Sequence, residues 1–384
     1  MKFLPLLAAF LPLTAWLIAV TQLIIAHRSL RVLREIPPVT GPFFPKISII
    51  IPARNEARKL EFALQSILRL DYPQLEIIVV NDRSTDETGQ ILDRIAQADG
   101  RLTVQHISTL PPGWLGKNYA LHLAAQSAVG EFLLFTDADV AMDPLTLKKA
   151  LRCMQDGPLD HLTILPGGTM PGRFLQLLGV TFGFFLLVWF QPWKARNPRS
   201  RSHLGVGAFN FVRTTAYRMI GGHQPIALRP DDDLKLGKLL KLNGYKQDVL
   251  IGHDMVTVEW YQSIPEFIDG LMKNAFAGVE YRLSLVILGT LTAFLIHIWP
   301  WVGVWVTMGV PQVLLGLTLG LMLGTVFLVL KWNRMTGWTS LLFPFAVLML
   351  VFIQWRATVL TLWRGGITWR GTFYPLPELK ANKV

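Results

Sequence analysis

Two aspartates separated by a single residue carry the strongest chemical signal in the sequence. Asp137 and Asp139 follow the apolar run FLLF at 132–135 and precede a Met-Asp-Pro turn. Two carboxylates at this spacing repel each other unless a cation lies between them. The pair therefore predicts a divalent metal site, and a metal there would neutralise a diphosphate leaving group and hold it in place. Because hard oxygen ligands suit both ions, the predicted cofactor is Mg or Mn.

A second acidic cluster, Asp231-Asp232-Asp233, begins a segment whose leucines have a helical pattern. Acidic residues in the first turn of a helix complement its dipole, and for Asp231 this structural role is the preferred interpretation over a chemical one. Like charges packed together would also raise the pKa of one of these acids. The cluster is thus a second group of candidate site residues.

Short β-branched runs must position these acids. They lie at 47–52, 75–82, 102–107 and 131–137 and alternate with stretches of helical spacing at 58–70, 86–97 and 117–128. This alternation predicts an α/β fold with βαβ units and a mainly parallel sheet. Ligands of such sheets bind beyond the carboxyl ends of the strands, so the polar residues after the first, second and fourth runs should converge on one edge. For one of these residues, Asp86, a helix N-cap role is an equal alternative.

The composition excludes several classes of protein. With 51% hydrophobic and 16% charged residues, the chain is too apolar to be wholly soluble. The net charge of +11 comes from basic residues beside apolar runs, without a finger motif or basic repeat, and so predicts an anionic membrane surface rather than nucleic acid as partner. A single cysteine, Cys153, excludes an intramolecular disulfide framework. No GxGxxG follows the first strand and no P-loop motif is present, so a dinucleotide oxidoreductase and a P-loop kinase are not supported.

Apolar runs divide the chain into membrane and catalytic parts. Residues 1–27 predict an uncleaved transmembrane anchor, and 28–45 a basic juxtamembrane linker, which places the following catalytic domain, 46–282, in the cytoplasm. Residues 283–363 predict a C-terminal transmembrane region, and 364–384 a basic tail. The expected location is the inner membrane of the cell, with several passes.

Two apolar segments have more than one interpretation. The segment 283–330 predicts a helical hairpin, whereas the stretch at about 339–355 is either a further crossing, a re-entrant segment or two short helices. The segment 174–193 lies between motifs of one predicted site and so should not cross the membrane. It is either an interfacial helix or lipid-facing lid, or a buried core helix.

Five ordered motifs together resemble a known family. They are IIIPARNE, VVNDRSTDET, GWLGKNYAL, FTDAD and RPDDDLKLG, and they resemble a family 2 glycosyltransferase with a GT-A, Rossmann-like fold. The resemblance covers about 46–282 and is strongest to the membrane-bound branch that glycosylates lipids, such as ceramide glucosyltransferases and carotenoid- or hopanoid-associated transferases. It implies a nucleotide-sugar donor and a lipid acceptor as partners.

The resemblance also implies roles for individual residues. Asp139, with Asp137, would form the DXD pair that binds the metal, and Asp233 would be the general base, with Asp232 as the substitute. The residues that would bind the nucleotide sugar are Pro52, Arg54 and Glu56 in the cleft, Asp82 at the base, and Lys117 and Asp137 at the diphosphate.

Three further assignments have structural alternatives. His253 is a candidate metal ligand or a structural histidine, and Lys273 is a candidate phosphate contact or a solvated lysine. The Gly221-Gly222-His223 segment resembles the acceptor-side loop of the family, but a helix C-cap at glycine is an equal alternative.

One departure from the family limits the predicted reaction. Processive synthases and ceramide glucosyltransferases carry a (Q/R)xxRW motif after the base, which this sequence lacks. The sequence therefore predicts an inverting enzyme that moves a single sugar from a nucleotide-diphosphate sugar, a UDP-sugar, to a membrane lipid hydroxyl. The alternatives are transfer to a polyprenyl phosphate, a processive polysaccharide synthase and a catalytically silent membrane scaffold.

Overall fold

The computed structural model describes residues 3–384. Within this range the chain forms two compact units, each assembled from separate segments. The helical unit contains the chain up to Arg28, Met170–Gln191 and Tyr261–Pro377. The sheet unit contains Ser29–Thr169, Pro192–Trp260 and Glu378–Val384.

The strands fall mainly in the sheet unit. Their bounds are β1 Arg31–Val32, β2 Ile47–Ala53, β3 Leu75–Asp82, β4 Leu102–Ile107, β5 Phe132–Phe135, β6 Val140–Met142, β7 His161–Thr169, β8 Asn210–Arg213, β9 Gln247–Glu259, β10 Gly366–Trp369 and β11 Thr372–Pro375.

The α-helices occur in both units. Their bounds are α1 Phe3–Ser29, α2 Ala57–Leu68, α3 Thr88–Ala98, α4 Gly116–Ser127, α5 Thr146–Asp156, α6 Arg173–Phe190, α7 Thr214–Met219, α8 Asp232–Leu242, α9 Ile264–Ala275, α10 Leu283–Ala293, α11 Trp299–Val306, α12 Val310–Trp332, α13 Phe343–Arg364 and α14 Leu376–Ala381.

A nine-stranded mixed sheet forms the centre of the sheet unit. Its order is β1-β9-β7-β8-β5-β2-β3-β4, and β6 pairs with β9. The β5-β2-β3-β4 block is parallel throughout, whereas β8 runs antiparallel to both of its neighbours, β5 and β7. The predicted α/β class with a mainly parallel sheet is therefore confirmed, and the parallel block brings the carboxyl ends of β2, β3 and β5 to one edge.

Helices cover both faces of this sheet. Ile49 and Ile51 of β2 pack in one buried cluster with Leu64 of α2, while Ile50 packs in the other with Leu121 of α4. Successive strand residues point to opposite faces, so a strand that is covered on both sides needs apolar residues at every position. This is why the strands appear in the sequence as unbroken apolar runs.

The helical unit has a small aromatic core and a large apolar exterior. Trp16 is buried, with its ring stacked on Phe184 at 5.4 Å and edge-on to Phe343 at 5.8 Å between centroids. By contrast, Trp189 at the end of α6 is 82% exposed. Apolar side chains on the outside of long helices fit a lipid environment better than water.

Five helical segments of the described chain are long and apolar enough to cross a membrane, namely Leu4–Ser29, Arg173–Lys194, Leu283–Val306, Val310–Trp332 and Gly337–Arg364. The block predicted as a hairpin contains α10, a π-helical turn and α11, followed by α12. The last apolar stretch is one continuous helix, α13, rather than two short helices. The segment predicted as interfacial or buried is α6, which buries Leu175, Leu177 and Leu178 but leaves Trp189 exposed.

Asp86 joins the loops that follow β2 and β3. Its carboxylate accepts hydrogen bonds from the main-chain N–H groups of Ala57, at the start of α2 (3.2 Å), and Thr88, at the start of α3 (3.0 Å). Burial alone would raise the pKa of Asp86, but the hydrogen bonds from Thr88 and Ala57 outweigh this effect and lower the pKa. The structure thus gives Asp86 the helix-capping role.

We expect Asp86→Ala to lower the free energy of unfolding by about 1 kcal/mol, because two helix starts lose a hydrogen-bond acceptor. A lower melting temperature of the purified protein, by roughly 2–4 °C, would report this loss. Since the folded-state pKa of Asp86 is lowered, its contribution is present above its ordinary pKa and disappears as the pH falls through the lowered value. Asp156→Ala, at the exposed end of α5, is the control, and equal melting of both variants at neutral pH would contradict the capping role.

Candidate active site

The candidate site lies where β2, β3 and β5 end. Pro52 pairs with Val80 in the β2–β3 register, and Asp82 is the last residue of β3. Thr136 and Asp137 directly follow β5. The parallel arrangement thus brings the predicted cleft residues and the first aspartate of the pair to the same edge, as the sequence pattern indicated.

Lys117 lies among the acids that the sequence singled out. Its Nζ is 2.8 Å from Asp137 Oδ1 and 3.6 Å from Asp232 Oδ2. Burial alone would lower the pKa of Lys117, but the charges of Asp137, Asp232 and Asp233 outweigh burial and raise the pKa. The ammonium group is therefore charged at all physiological pH values and joins the β5 end to the start of α8.

Asp233 is held by main-chain amides. Its Oδ2 accepts a hydrogen bond from the N–H of Gly207 at 2.7 Å, and its Oδ1 accepts one from the N–H of Leu234 at 2.8 Å. The carbonyl oxygen of Gly207 in turn accepts from the N–H of Asp137 at 3.0 Å. One glycine therefore connects the predicted base to the predicted metal ligand through its own peptide groups.

Asp139 has an unusual charge environment. The pKa of Asp139 is raised to about 6 by burial and by the nearby charges of Asp137 and Glu56, against an opposing effect of Lys59. The distance from Lys59 Nζ to Asp139 Oδ2 is 3.9 Å. An additional cation at this position would relieve the repulsion among these carboxylates.

Asp82 is buried between two arginines. Its Oδ1 accepts from Arg83 Nε at 2.7 Å, and Arg54 lies 3.6 Å from its Oδ2. Gly116, at the start of α4, allows this packing, because a Cβ at that position would collide with Asp82 Oδ2. The structure thus brings the predicted cleft residue Arg54 and the predicted base-binding residue Asp82 into contact.

Asp231 differs from its two acidic neighbours. Its carboxylate forms a two-point pair with Arg229, at 2.9 and 3.1 Å, and lies 3.6 Å from Lys235. Both oxygens are thus engaged within a buried ion pair, in agreement with the structural role that the helix-dipole argument indicated. The arrangement leaves Asp232 and Asp233 to face Lys117.

The two remaining predicted residues belong to β9 and α9. His253 is an exposed residue of β9 with φ of +42°, at the point where the β7–β9 register shifts. Lys273 belongs to α9 in the helical unit, where its Nζ lies 4.1 Å from the ring centroid of Trp369.

The loop 223–229, just before α8, is fixed from two directions. Asn118, next to Lys117, donates to two of its main-chain carbonyls at 2.8 and 2.9 Å. Asn382 accepts from the Leu228 N–H at 3.1 Å and donates to the Pro225 carbonyl at 2.9 Å. The acids at the start of α8 therefore follow a loop with little freedom to move.

Comparison with known proteins identifies this arrangement. Residues 48–200, which contain the ends of β2, β3 and β5, match the family model for glycosyl transferase family 2. The chain carries a family 2 glycosyltransferase domain.

Two curated relatives support this identification. The chain is 24% identical over 263 residues to a 4,4'-diaponeurosporenoate glycosyltransferase of Staphylococcus haemolyticus, a match covering 66% of this chain and 69% of the relative. It is 26% identical over 222 residues to the enzyme of the same name from Staphylococcus aureus strain USA300. That match covers 56% of each protein, so it spans little more than half of the S. aureus relative.

A solved structure supports the fold. The mannosyltransferase PcManGT from Pyrobaculum calidifontis, in complex with GDP-Man and Mn²⁺, superposes with a TM-score of 0.57 at 18% identity, covering 92% of this chain and 99% of that protein. Together with the family match, this confirms the predicted GT-A fold of the glycosyltransferase domain.

The donor atoms of the glycosyltransferase domain fit a divalent cation. Asp137 and Asp139 offer carboxylate oxygens, the ligands that Mg and Mn prefer. The pKa of Asp139 is raised first by burial and then by the charges of Asp137 and Glu56, which a bound cation would offset. Within residues 3–384, no three His, Cys, Asp or Glu side chains form a ready-made metal cluster. One or two carboxylates nevertheless suffice where substrate phosphates supply the remaining ligands.

The sequence reasoning missed Gly207, although the GVGAFN segment at 205–210 offers a signal. Two glycines two residues apart, directly before a strand, are typical of close backbone packing. A Cβ on Gly207 would collide with Asp137 Oδ2 and would lie 3.3 Å from Lys117 Nζ. A Cβ on Gly205 would collide with the carbonyl oxygen of Asp233.

We expect Gly207→Ala to reduce sugar transfer by at least about 100-fold. The new methyl group would push Asp137 and Lys117 out of position, and a displacement of about 1 Å at a reacting site can cost this much. Initial rates of the purified variant would measure this loss. The control is Gly100→Ala, since Gly100 has no atom within 4 Å of an added Cβ. Wild-type activity in Gly207→Ala would show that the Gly207 link is dispensable.

Proposed function

We propose that the protein transfers one sugar from a nucleotide-diphosphate sugar, a UDP-sugar, to a hydroxyl group of a membrane lipid, with inversion at the anomeric carbon. The observation that carries this proposal is the position of Lys117 between Asp137 and Asp232, with Asp233 held beside them by Gly207. One edge of the sheet thus combines a cation for the diphosphate with carboxylates for the acceptor. No covalent enzyme intermediate is required.

Different residues of the site have different roles in the proposed reaction. Lys117 supplies a fixed positive charge for the leaving diphosphate, as a compact ammonium group suits phosphate oxygens. Asp137 and Asp139 would hold Mg or Mn, which supplies further charge neutralisation for the diphosphate when bound. Asp233 accepts the proton of the attacking hydroxyl, and Asp232 is the alternative acceptor.

The nucleotide is proposed to bind along the ends of β2 and β3. Pro52, Arg54 and Glu56 would line this cleft, and Asp82 would accept hydrogen bonds from the base edge. The contact between Arg54 and Asp82 supports the proposal, because it shows that these side chains share one surface. Lys273 and His253 remain proposed contacts of the diphosphate and the metal.

The acceptor is proposed to come from the bilayer. Five helical segments suitable for a membrane support this source, as do relatives whose names denote a carotenoid-type lipid acceptor. We propose that residues 1–27 and 283–363 hold the catalytic domain, 46–282, at the cytoplasmic face of the inner membrane. The basic residues at 28–45 and 364–384 support this orientation.

A second candidate is transfer to a carboxylate of a lipid acid. The names of the two curated relatives denote a carboxylate acceptor, and such an acceptor is already an anion at neutral pH. It would not need a base. The product would then be a sugar ester, which alkali cleaves, rather than an alkali-stable glycoside.

Asp233→Asn separates the two candidates. With a hydroxyl acceptor we expect transfer to fall by about 100-fold or more, because general base catalysis is lost, and the wild-type product should resist mild alkali. The measurement is transfer of radiolabel from a panel of UDP-sugars into the lipid extract of the host, followed by saponification.

Because asparagine can accept only one of the two amide hydrogen bonds at Asp233, melting temperature and nucleotide affinity of the variant are measured in parallel. Glu87→Gln, on the exposed surface, is the matched control. Near-normal transfer by Asp233→Asn together with an alkali-labile product would replace the hydroxyl mechanism by the carboxylate one.

Metal dependence is tested by chelation. We expect EDTA to abolish transfer and added Mn or Mg to restore it, since the carboxylates of Asp137 and Asp139 fit such an ion. Asp139→Ala should not recover with either metal, whereas Asp156→Ala, an exposed acid of α5, should behave as wild type. Full activity in EDTA would remove the metal from the proposal.

A further inference from the structure

His223 lies in the small pocket that contains the reactive acids. The pocket is lined by Lys117, Asp137, Asp232 and Asp233 among others, and His223 forms part of its wall. The side chain is 1% exposed and packs edge-on against Phe135, two residues before Asp137, at 5.0 Å between ring centroids. A buried polar ring in this position requires a partner or a function.

The two preceding glycines create this position. Gly221 and Gly222 have φ of +80° and +59° and end α7, as expected for a glycine C-cap. A Cβ on Gly222 would lie 2.9 Å from the hydroxyl oxygen of Tyr217, closer than side chains normally approach. The glycines thus end the helix and let the chain fold back so that His223 contacts Tyr217.

The Tyr217 hydroxyl determines which nitrogen of His223 carries the proton. Oη of Tyr217 lies 2.7 Å from Nδ1 of His223. Burial raises the pKa of Tyr217, against the opposing effect of a main-chain hydrogen bond from His223, so the hydroxyl keeps its proton. Donation of the hydroxyl hydrogen to Nδ1 gives both atoms a partner and leaves the ring hydrogen on Nε2.

The ring is also uncharged. Burial, followed by the charges of Lys117 and His122, lowers the pKa of His223 to about 3. The hydrogen bond that the structure gives to this ring joins Nδ1 to Tyr217 and does not use Nε2. His223 thus offers one oriented, neutral N–H donor at a pocket that Lys117, Asp137, Asp232 and Asp233 also line.

We propose that Nε2–H of His223 donates a hydrogen bond to an oxygen atom of the bound sugar diphosphate, either a sugar hydroxyl or a phosphate oxygen. This assignment rests on the proposed function, since it requires a nucleotide-sugar donor in the pocket. A neutral donor beside Lys117 adds directional recognition that a point charge cannot supply. Tyr217 is a positioning residue, which acts by fixing the tautomer.

Two substitutions at His223 separate donation from packing. The amide of asparagine overlaps Nδ1 and so keeps a contact with Tyr217 without reaching the pocket, whereas the amide nitrogen of glutamine overlaps Nε2 and keeps the donor. We expect His223→Asn to lower kcat/KM for the donor on the order of 10-fold, and His223→Gln to restore it to within about 3-fold of wild type. Gln224→Ala, at the exposed residue next to His223, is the control.

Binding measurements with UDP and with the UDP-sugar that wild type uses best identify the oxygen. Weaker binding of only the UDP-sugar by His223→Asn assigns a sugar hydroxyl, and equally weaker binding of UDP assigns a phosphate oxygen. Tyr217→Phe should lower kcat/KM less than His223→Asn, because the ring stays in place but is free to change tautomer.

Wild-type donor use and binding in His223→Asn would overturn the assignment and leave the proposed function intact. Equal losses in the asparagine and glutamine variants, with a parallel fall in melting temperature, would also overturn it in favour of packing alone. A wild-type protein that binds no nucleotide sugar would overturn the proposed function and this assignment together.

Discussion

The charge balance around Lys117 is the constraint on which the site depends. Carboxylates repel one another at short range, and the repulsion grows when burial removes water. At this site, acids from the end of β5 and the start of α8 approach closely because the ammonium group of Lys117 lies between them. The same acids hold Lys117 in its charged form, so neither partner would be stable in this position alone.

Main-chain hydrogen bonds also hold the acids of the site in place. The N–H of Gly207 donates to Asp233, and the carbonyl oxygen of Gly207 accepts from the N–H of Asp137. The two peptide groups of one glycine therefore set the separation of two acids from distant parts of the sequence. Peptide dipoles fixed in this way need no rearrangement when charge develops during a reaction. The exclusion of a side chain at Gly207 is thus part of the electrostatics of the site as well as of its packing.

Most of the sheet and its functional edge could be predicted from the sequence, because buried parallel strands require continuous apolar runs and ligand-binding residues follow their carboxyl ends. Gly207 could not, since the antiparallel pairing of β8 with β5 that places Gly207 beside Asp137 is not encoded by local spacing. The sequence singled out His223 only as part of a glycine segment with two interpretations. Its contact with Tyr217 forms when the chain turns back at these glycines, and so it could not be predicted from local spacing. The continuous α13 could not be separated from a re-entrant segment or two short helices, because the positive charges after it argued against a further crossing.

The position of Asn382 in the chain determines when the loop 223–229 can form all of its hydrogen bonds during synthesis. The loop 223–229 receives two of its hydrogen bonds from this residue, which belongs to the sheet unit although it follows α13 in the chain. A ribosome synthesises the chain from its N-terminus, so the strands and acids of the site emerge long before their last structural partner. The nascent enzyme therefore carries an incomplete loop throughout the synthesis of its apolar C-terminal helices, and its pocket matures only after translation has passed them.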